Sequence, residues 1–278
     1  MSGFYFFLAV VSAIGTYSAI IQARRIYWMA PFYFLIAWLS GELALIHLLW
    51  QLGLTALMAL SGLLDSSLAQ VGLGLFALSW MGQVYLHVQA MNTQRVMRQA
   101  LKRGLGEDYR STLPQQRQRV LEDSVDAAHW MKPFAMVREG VRVHSHIAYA
   151  DAGKRNLLDI YQPQEPREGG FPVLLQVHGG GWMIGEKEQQ AKPLMFHLAQ
   201  RGWLCVAINY RLSPNAAFPA HIIDVKKSIA WIRNNIAEYG GDPDFIAITC
   251  DSAGGHLSSL AALTPNYAPF QPEFEDAD

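Results

Sequence analysis

Cys250-Asp251-Ser252-Ala253-Gly254 sets a serine among small residues, between an apolar run, DFIAITC (244–250), and a helix-forming run, HLSSLAAL (256–263). A serine on so tight a strand-to-helix turn can serve as a nucleophile. The turn lifts its oxygen above the sheet, and the amides opening the helix favour developing negative charge. Residues two positions away must be small, or their side chains collide. A glycine-rich turn with an incidental serine fits the same five residues, so a second motif has to decide. His178-Gly179-Gly180-Gly181-Trp182 follows another apolar run, FPVLLQV (171–177). Attack on a carbonyl creates an oxyanion that needs preorganised N–H donors. A triple glycine lets backbone amides approach a substrate with no side chains in the way. A phosphate loop would show GxGxxG or GK[ST] instead, and neither is present.

The elements that must hold these motifs are legible from about residue 141. VRVHSHIAYA alternates as a half-buried strand does. A turn at 151–154 and NLLDIYQP complete a hairpin. FPVLLQV, WLCVAINY (203–210) and DFIAITC read as strands buried on both faces. A helical stretch is expected near 187–201. A long amphipathic helix is expected from Pro219 to Tyr239, with Ile222, Val225, Ile229, Ile232 and Ile236 on one face and Gly240-Gly241 ending it. Strands alternating with helices imply an α/β fold with a doubly wound parallel sheet.

The first ninety residues are of another kind. Arg24, Arg25, Glu42 and Asp65 are their only charged side chains. Residues 4–22 and 70–90 are each about long enough to span a bilayer, roughly 20 residues. The run 28–64 is too long for one straight span and is interrupted at Ser40-Gly41-Glu42. A signal peptide is disfavoured, because no basic residue precedes the first run and Arg24-Arg25 follow it. Tyr27, Trp28, Trp50 and Tyr85 suit an interfacial belt. Arg24 and Arg25 after the first span, with Arg95, Arg98, Lys102 and Arg103 after the last, predict three crossings. The N-terminus is then outside and the globular part cytoplasmic. Glu42 and His47 lie inside an apolar run, which makes them either functional or positions at a helix break or helix interface. The expected organisation is transmembrane helices over 1–90, a helical linker over 91–133 and a hydrolase part over 134–278.

A net charge of −1 excludes the basic stripe of a nucleic-acid binder. No CxxC or HExxH spacing occurs, so no metal is expected, and nothing implies a nucleotide, flavin or other cofactor. The two cysteines, Cys205 and Cys250, read as free thiols in buried strands rather than a disulfide.

NLLDIYQP, HGGGW, AINYRLSP, HIIDVKKSIAWIRNNIAEYGGDP and DSAGGHL together resemble the hormone-sensitive-lipase-like branch of the α/β-hydrolases, over residues 140–265. The attached hydrophobic region resembles that of membrane-anchored members. The resemblance implies a carboxylic ester hydrolase acting on small-molecule or lipid esters through an acyl-enzyme. Ser252 would be its nucleophile, and the N–H groups of Gly180, Gly181 and Ala253 its oxyanion donors. His178, Gly179 and Asp251 would support the site, with His178 bracing the glycine loop. An arylformamidase or acetyl-ester deacylase would use the same motifs. A non-catalytic remnant retained for partner binding is a further alternative.

Two departures stand out. The family's elbow begins with glycine where this chain has Cys250. The acid and base follow the serine in this fold, yet His256 is the only later histidine, and it is expected to pack along the elbow helix instead. Asp251 is expected to point away from Ser252, and Glu273, Glu275, Asp276 and Asp278 to be solvated. These features lead us to expect an incomplete hydrolase sheet and a chain representing part of a longer protein.

Overall fold

β3 (Phe171–Val177) and β4 (Leu204–Ile208) pair in parallel at the centre of a five-stranded sheet. Their uninterrupted Val, Leu and Ile suit burial on both faces, and every residue of β4 is buried. The computed structural model describes residues 1–21, 30–113, 136, 138–272 and 274. They fall into two units, Met1–Pro133 and Phe134–Asp278.

In the second unit, β1 (Val141–Ala148), β2 (Leu157–Pro163) and β5 (Gly241–Cys250) complete the order β1-β2-β4-β3-β5. The sheet is mixed, not parallel throughout. The β1–β2 hairpin is as expected, but β2 also runs antiparallel to β4, while β5 is parallel to β3. β1 carries an irregularity between His144 and Ile147, where His146 adopts a left-handed φ of 61°. Such a bulge re-aims side chains.

α5 (Lys192–Ala199) is shorter than expected. α6 (Ala220–Asn235) presents Ile222, Val225, Ile229 and Ile232 to the core and continues as a 3₁₀ turn to Tyr239, with Gly240 left-handed at φ 80°. α7 (Ser252–Leu263) follows β5. Leu158, Ile160, Val173, Leu175, Val206, Ile208, Ile222 and Leu257 share one core cluster. Fully burying each such side chain contributes about 1.5–3 kcal/mol relative to exposure.

β5 departs from expectation. Its side chains are mostly half-buried or exposed, and Cys250 is exposed. The cause is position: only β3 pairs with it among the described residues, so its outer side is uncovered. Cys205 is buried and free as expected, and its thiol is pushed up to about 12 by burial.

In the first unit, α1 (Ser2–Ile21), α2 (Ala30–Glu42), α3 (Ala44–Leu60) and α4 (Ser67–Leu105) form a helical bundle. α1 and α4 run in the same direction. Tyr5 packs on Phe76 and beside Gly72, while Thr16 meets Gly82 and hydrogen-bonds Ser79 and Gln83. α3 packs along α4, and its Thr55 bonds the Tyr5 hydroxyl at 2.9 Å. The interruption expected at Ser40-Gly41-Glu42 is a sharp break, and α3 turns 82° away from Tyr33–Glu42. α4 does not stop at residue 90. It continues to Leu105 because nothing in 91–103 breaks a helix, and Gly106 at φ 95° ends it. The change at 90 is therefore one of composition only. Arg24, Arg25, Tyr27, Trp28, residues 114–133, Glu273, Glu275, Asp276 and Asp278 lie outside the described residues.

Candidate active site

Ser252 closes β5 and opens α7 with φ at +47°, a left-handed conformation that a non-glycine residue rarely holds. Such strain persists only where the surroundings enforce it, and it gathers at functional sites. Here the enforcement comes from Gly254. A Cβ there would collide with the carbonyl oxygen of Val177, at the end of β3. The helix thus lies directly on the neighbouring strand, and the turn has no room to relax. Cys250 stands where the resemblance implies glycine, and its side chain is exposed. Ser252 itself is exposed, and Ala253 is buried behind it.

The glycine loop abuts this elbow. A Cβ on Gly179 would stand 2.9 Å from Asp251 Oδ2 and 3.1 Å from Ser252 Cβ. The Gly179 N–H donates to Asp251 Oδ1 at 3.0 Å and to Gln190 Oε1 at 2.7 Å. The Asp251 carboxylate reaches the glycine loop. The Gly179 amide is thus engaged by side chains on both sides of the loop. Gly180 (φ 120°) and Gly181 (φ 61°) hold backbone conformations that glycine adopts freely, and a Cβ on Gly180 would strike the Ile184 carbonyl oxygen.

His178 lies beneath the loop, fully buried. Its Nδ1 donates to the Gly179 carbonyl at 2.7 Å, its ring stacks on Tyr210 at 4.4 Å, and the Tyr210 hydroxyl donates to the His178 carbonyl at 2.9 Å. Burial depresses its pKa. A neutral, enclosed imidazole shaped in this way can brace the loop. His256 is exposed and packs edge-on against Trp182 of the glycine loop at 5.3 Å, consistent with a packing role. Among the described residues no side chain hydrogen-bonds Ser252 Oγ.

Side chains that the sequence did not single out hold the far end of the loop. Asn209 accepts the Lys187 N–H at 2.7 Å and donates to the Lys154 carbonyl. The Lys187 ammonium lies 2.8 Å from Asp159 Oδ1, with both side chains only 3% exposed. It also reaches Glu188 at 2.9 Å and His146 Nδ1 at 3.3 Å. His146, Asp159 and Glu188 are close enough together to ligate a metal, but the ammonium takes the place of a cation among them. Arg211 pairs twice with fully buried Asp224 and fixes the turn after β4. Lys187→Met leaves the Asp159 carboxylate buried and unpaired. It is expected to destabilise this unit by about 3–5 kcal/mol, read by denaturant unfolding followed through intrinsic fluorescence. A loss below ~1 kcal/mol would show that the pair is not held away from water.

A family model described as BD-FAE matches residues 158–277. The probable carboxylic ester hydrolase LipM of Mycobacterium tuberculosis is 48% identical over 213 residues, covering 73% of this chain and 49% of that protein. Esterase LipQ of the same organism is 55% identical over 135 residues, covering 48% of this chain and 32% of that protein. Among solved structures, esterase B from Lactobacillus rhamnosis is 29% identical with a TM-score of 0.46, over 51% of this chain and 46% of that one. The chain thus spans about half the length, or less, of the curated relatives it matches. The matched region, residues 158–277, carries both the glycine loop and the elbow, and its likeness to esterases supports the hormone-sensitive-lipase-like α/β-hydrolase resemblance.

Proposed function

We propose that this chain carries the nucleophile and oxyanion-binding half of a membrane-anchored carboxylic ester hydrolase. The observation that carries the reading is Ser252 at φ +47°, wedged against a glycine loop whose first amide is tied down and whose next two are free. Ser252 Oγ attacks the ester carbonyl, and the N–H groups of Gly180, Gly181 and Ala253 hold the oxyanion. The alcohol leaves with a proton, and water then releases the acid from the acyl-serine. The general base and its acid partner come from outside the described residues. Trp182, Met183 and Ile184 form an exposed apolar rim on the glycine loop, which favours ester groups with hydrocarbon character.

The anchor is the first unit. α1 and α4 are each long and apolar enough to cross a bilayer, and the bent pair α2–α3 supplies a third such element. Because α1 and α4 point the same way, the chain must return across the membrane between them. Three crossings do this, and they leave Arg95, Arg98, Lys102 and Arg103 on the side where α1 ends, cytoplasmic by the positive-inside rule.

Protein expressed from its full reading frame is expected in the membrane fraction after carbonate washing, with turnover of p-nitrophenyl butyrate. Membrane-bound protein that hydrolyses an aryl formamide but no p-nitrophenyl ester would move the assignment to the formamidase reading. Release into the wash would remove the anchor from it.

A further inference from the structure

We propose that α2 lies in the plane of the membrane, within the cytoplasmic leaflet, as a lipid-embedded aromatic helix, leaving α1, α3 and α4 as the three crossings. This rests on the membrane reading above and adds a lipid-facing surface to it. The 13 residues of α2 give a helix of about 20 Å, too short for a hydrocarbon core of about 30 Å. α2 and α3 in line would instead be too long for one span, by roughly half again. The 82° bend resolves both problems only if one of the pair leaves the membrane normal. α3 is the transverse member, because it packs along α4, which itself runs along α1: the Trp50 ring meets Phe76 edge-on at 6.0 Å, and Thr55 reaches Tyr5. α2 is therefore the helix that lies flat.

Its depth follows from two contacts. A Cβ on Gly15 would press on Ser40 Oγ at 2.5 Å, and one on Gly41 would touch Ala19 at 3.9 Å. The elbow thus stands at the C-terminal end of α1, the end followed by Arg24-Arg25 in the sequence. At that level the exposed carboxylate of Glu42 reaches water, so the charged residue in the second apolar run needs no partner deep in the bilayer. Phe34, Leu35, Ile36, Trp38 and Leu39 are all exposed on a helix with no basic side chain and no acidic one before Glu42. A surface this apolar faces acyl chains rather than water, and Tyr33 and Trp38 belong to the residue types that settle at the headgroup boundary.

The test uses the full chain with Cys205→Ala and Cys250→Ala, reconstituted in phosphatidylcholine vesicles. Single cysteines are placed at Leu35 and Leu39 in α2 and at Leu49 and Leu57 in α3, each labelled with an environment-sensitive fluorophore. Each is then quenched by lipids carrying a spin label near the headgroup or deep in the chain. Leu35→Cys and Leu39→Cys are expected at equal, shallow depth, with headgroup-proximal label quenching best. Leu49→Cys and Leu57→Cys are expected to differ in depth by about 12 Å, from 1.5 Å per residue. A stepped depth of about 6 Å between Leu35→Cys and Leu39→Cys, with α3 as expected, overturns the in-plane helix and leaves the anchor standing. Absence of lipid quenching at all four positions overturns both.

Discussion

Ser252→Ala is expected to lower ester turnover by at least ~10⁴-fold in protein expressed from its full reading frame, because the remaining oxyanion donors cannot replace a missing nucleophile. Binding of substrate should change little, so the loss should fall on kcat rather than KM, read by steady-state hydrolysis of p-nitrophenyl butyrate. Residues 1–278 expressed alone are expected to show turnover no higher than their own Ser252→Ala form. The reason is local: no side chain among the described residues hydrogen-bonds Ser252 Oγ, and His256 packs on Trp182. Serine-dependent turnover by residues 1–278 would show that a base reaches the site from within them.

Gly254→Ala is expected to be a strongly damaging single-methyl change in the hydrolase unit. The added carbon meets the Val177 carbonyl oxygen, a backbone atom of a central strand that cannot swing aside. Moving α7 off β3 would also pull Ser252 away from the glycine loop. A cost of about 3 kcal/mol or more should appear in denaturant unfolding, together with loss of activity. Gly255→Ala is the matched control. Nothing lies within 4 Å of its Cβ position, and alanine is the better helix former, so that variant should gain up to ~1 kcal/mol. Equal effects of the two substitutions would mean that the helix is not pressed against the strand.

The chemistry was more legible in the sequence than the surroundings that hold it. Gly179, Gly180 and Gly254 could be read because a close approach leaves no room for a Cβ, and Gly181 because its φ of 61° favours glycine, so the constraint is written in the residue itself. β3 and β4 could be read because strands covered on both faces are apolar throughout. β5 looks the same in sequence but lies at the edge of the described sheet. Hydrophobicity records what a strand can bury, not whether a neighbour is present, and for the same reason Cys250 was expected inside and lies outside. The continuation of α4 past residue 90 was hidden by a change from apolar to basic residues that leaves helix propensity intact. Gln190, Asn209 and the Asp159–Lys187 pair left no local signal, because each bonds a partner far away in the chain and their types are common on surfaces. Asp251 was expected to support the site, and its carboxylate accepts from the Gly179 amide. Its bond to the Gly179 amide depends on the adjacency of β3 and β5, which no spacing discloses.

The most direct test of the central claim is to react the protein from its full reading frame with a fluorophosphonate ester and map the modified peptide by mass spectrometry. The account predicts a single phosphonyl adduct on Ser252, appearing as ester hydrolysis disappears and absent from Ser252→Ala. Inhibition with the adduct on any other residue, or hydrolysis that survives in Ser252→Ala, would contradict it.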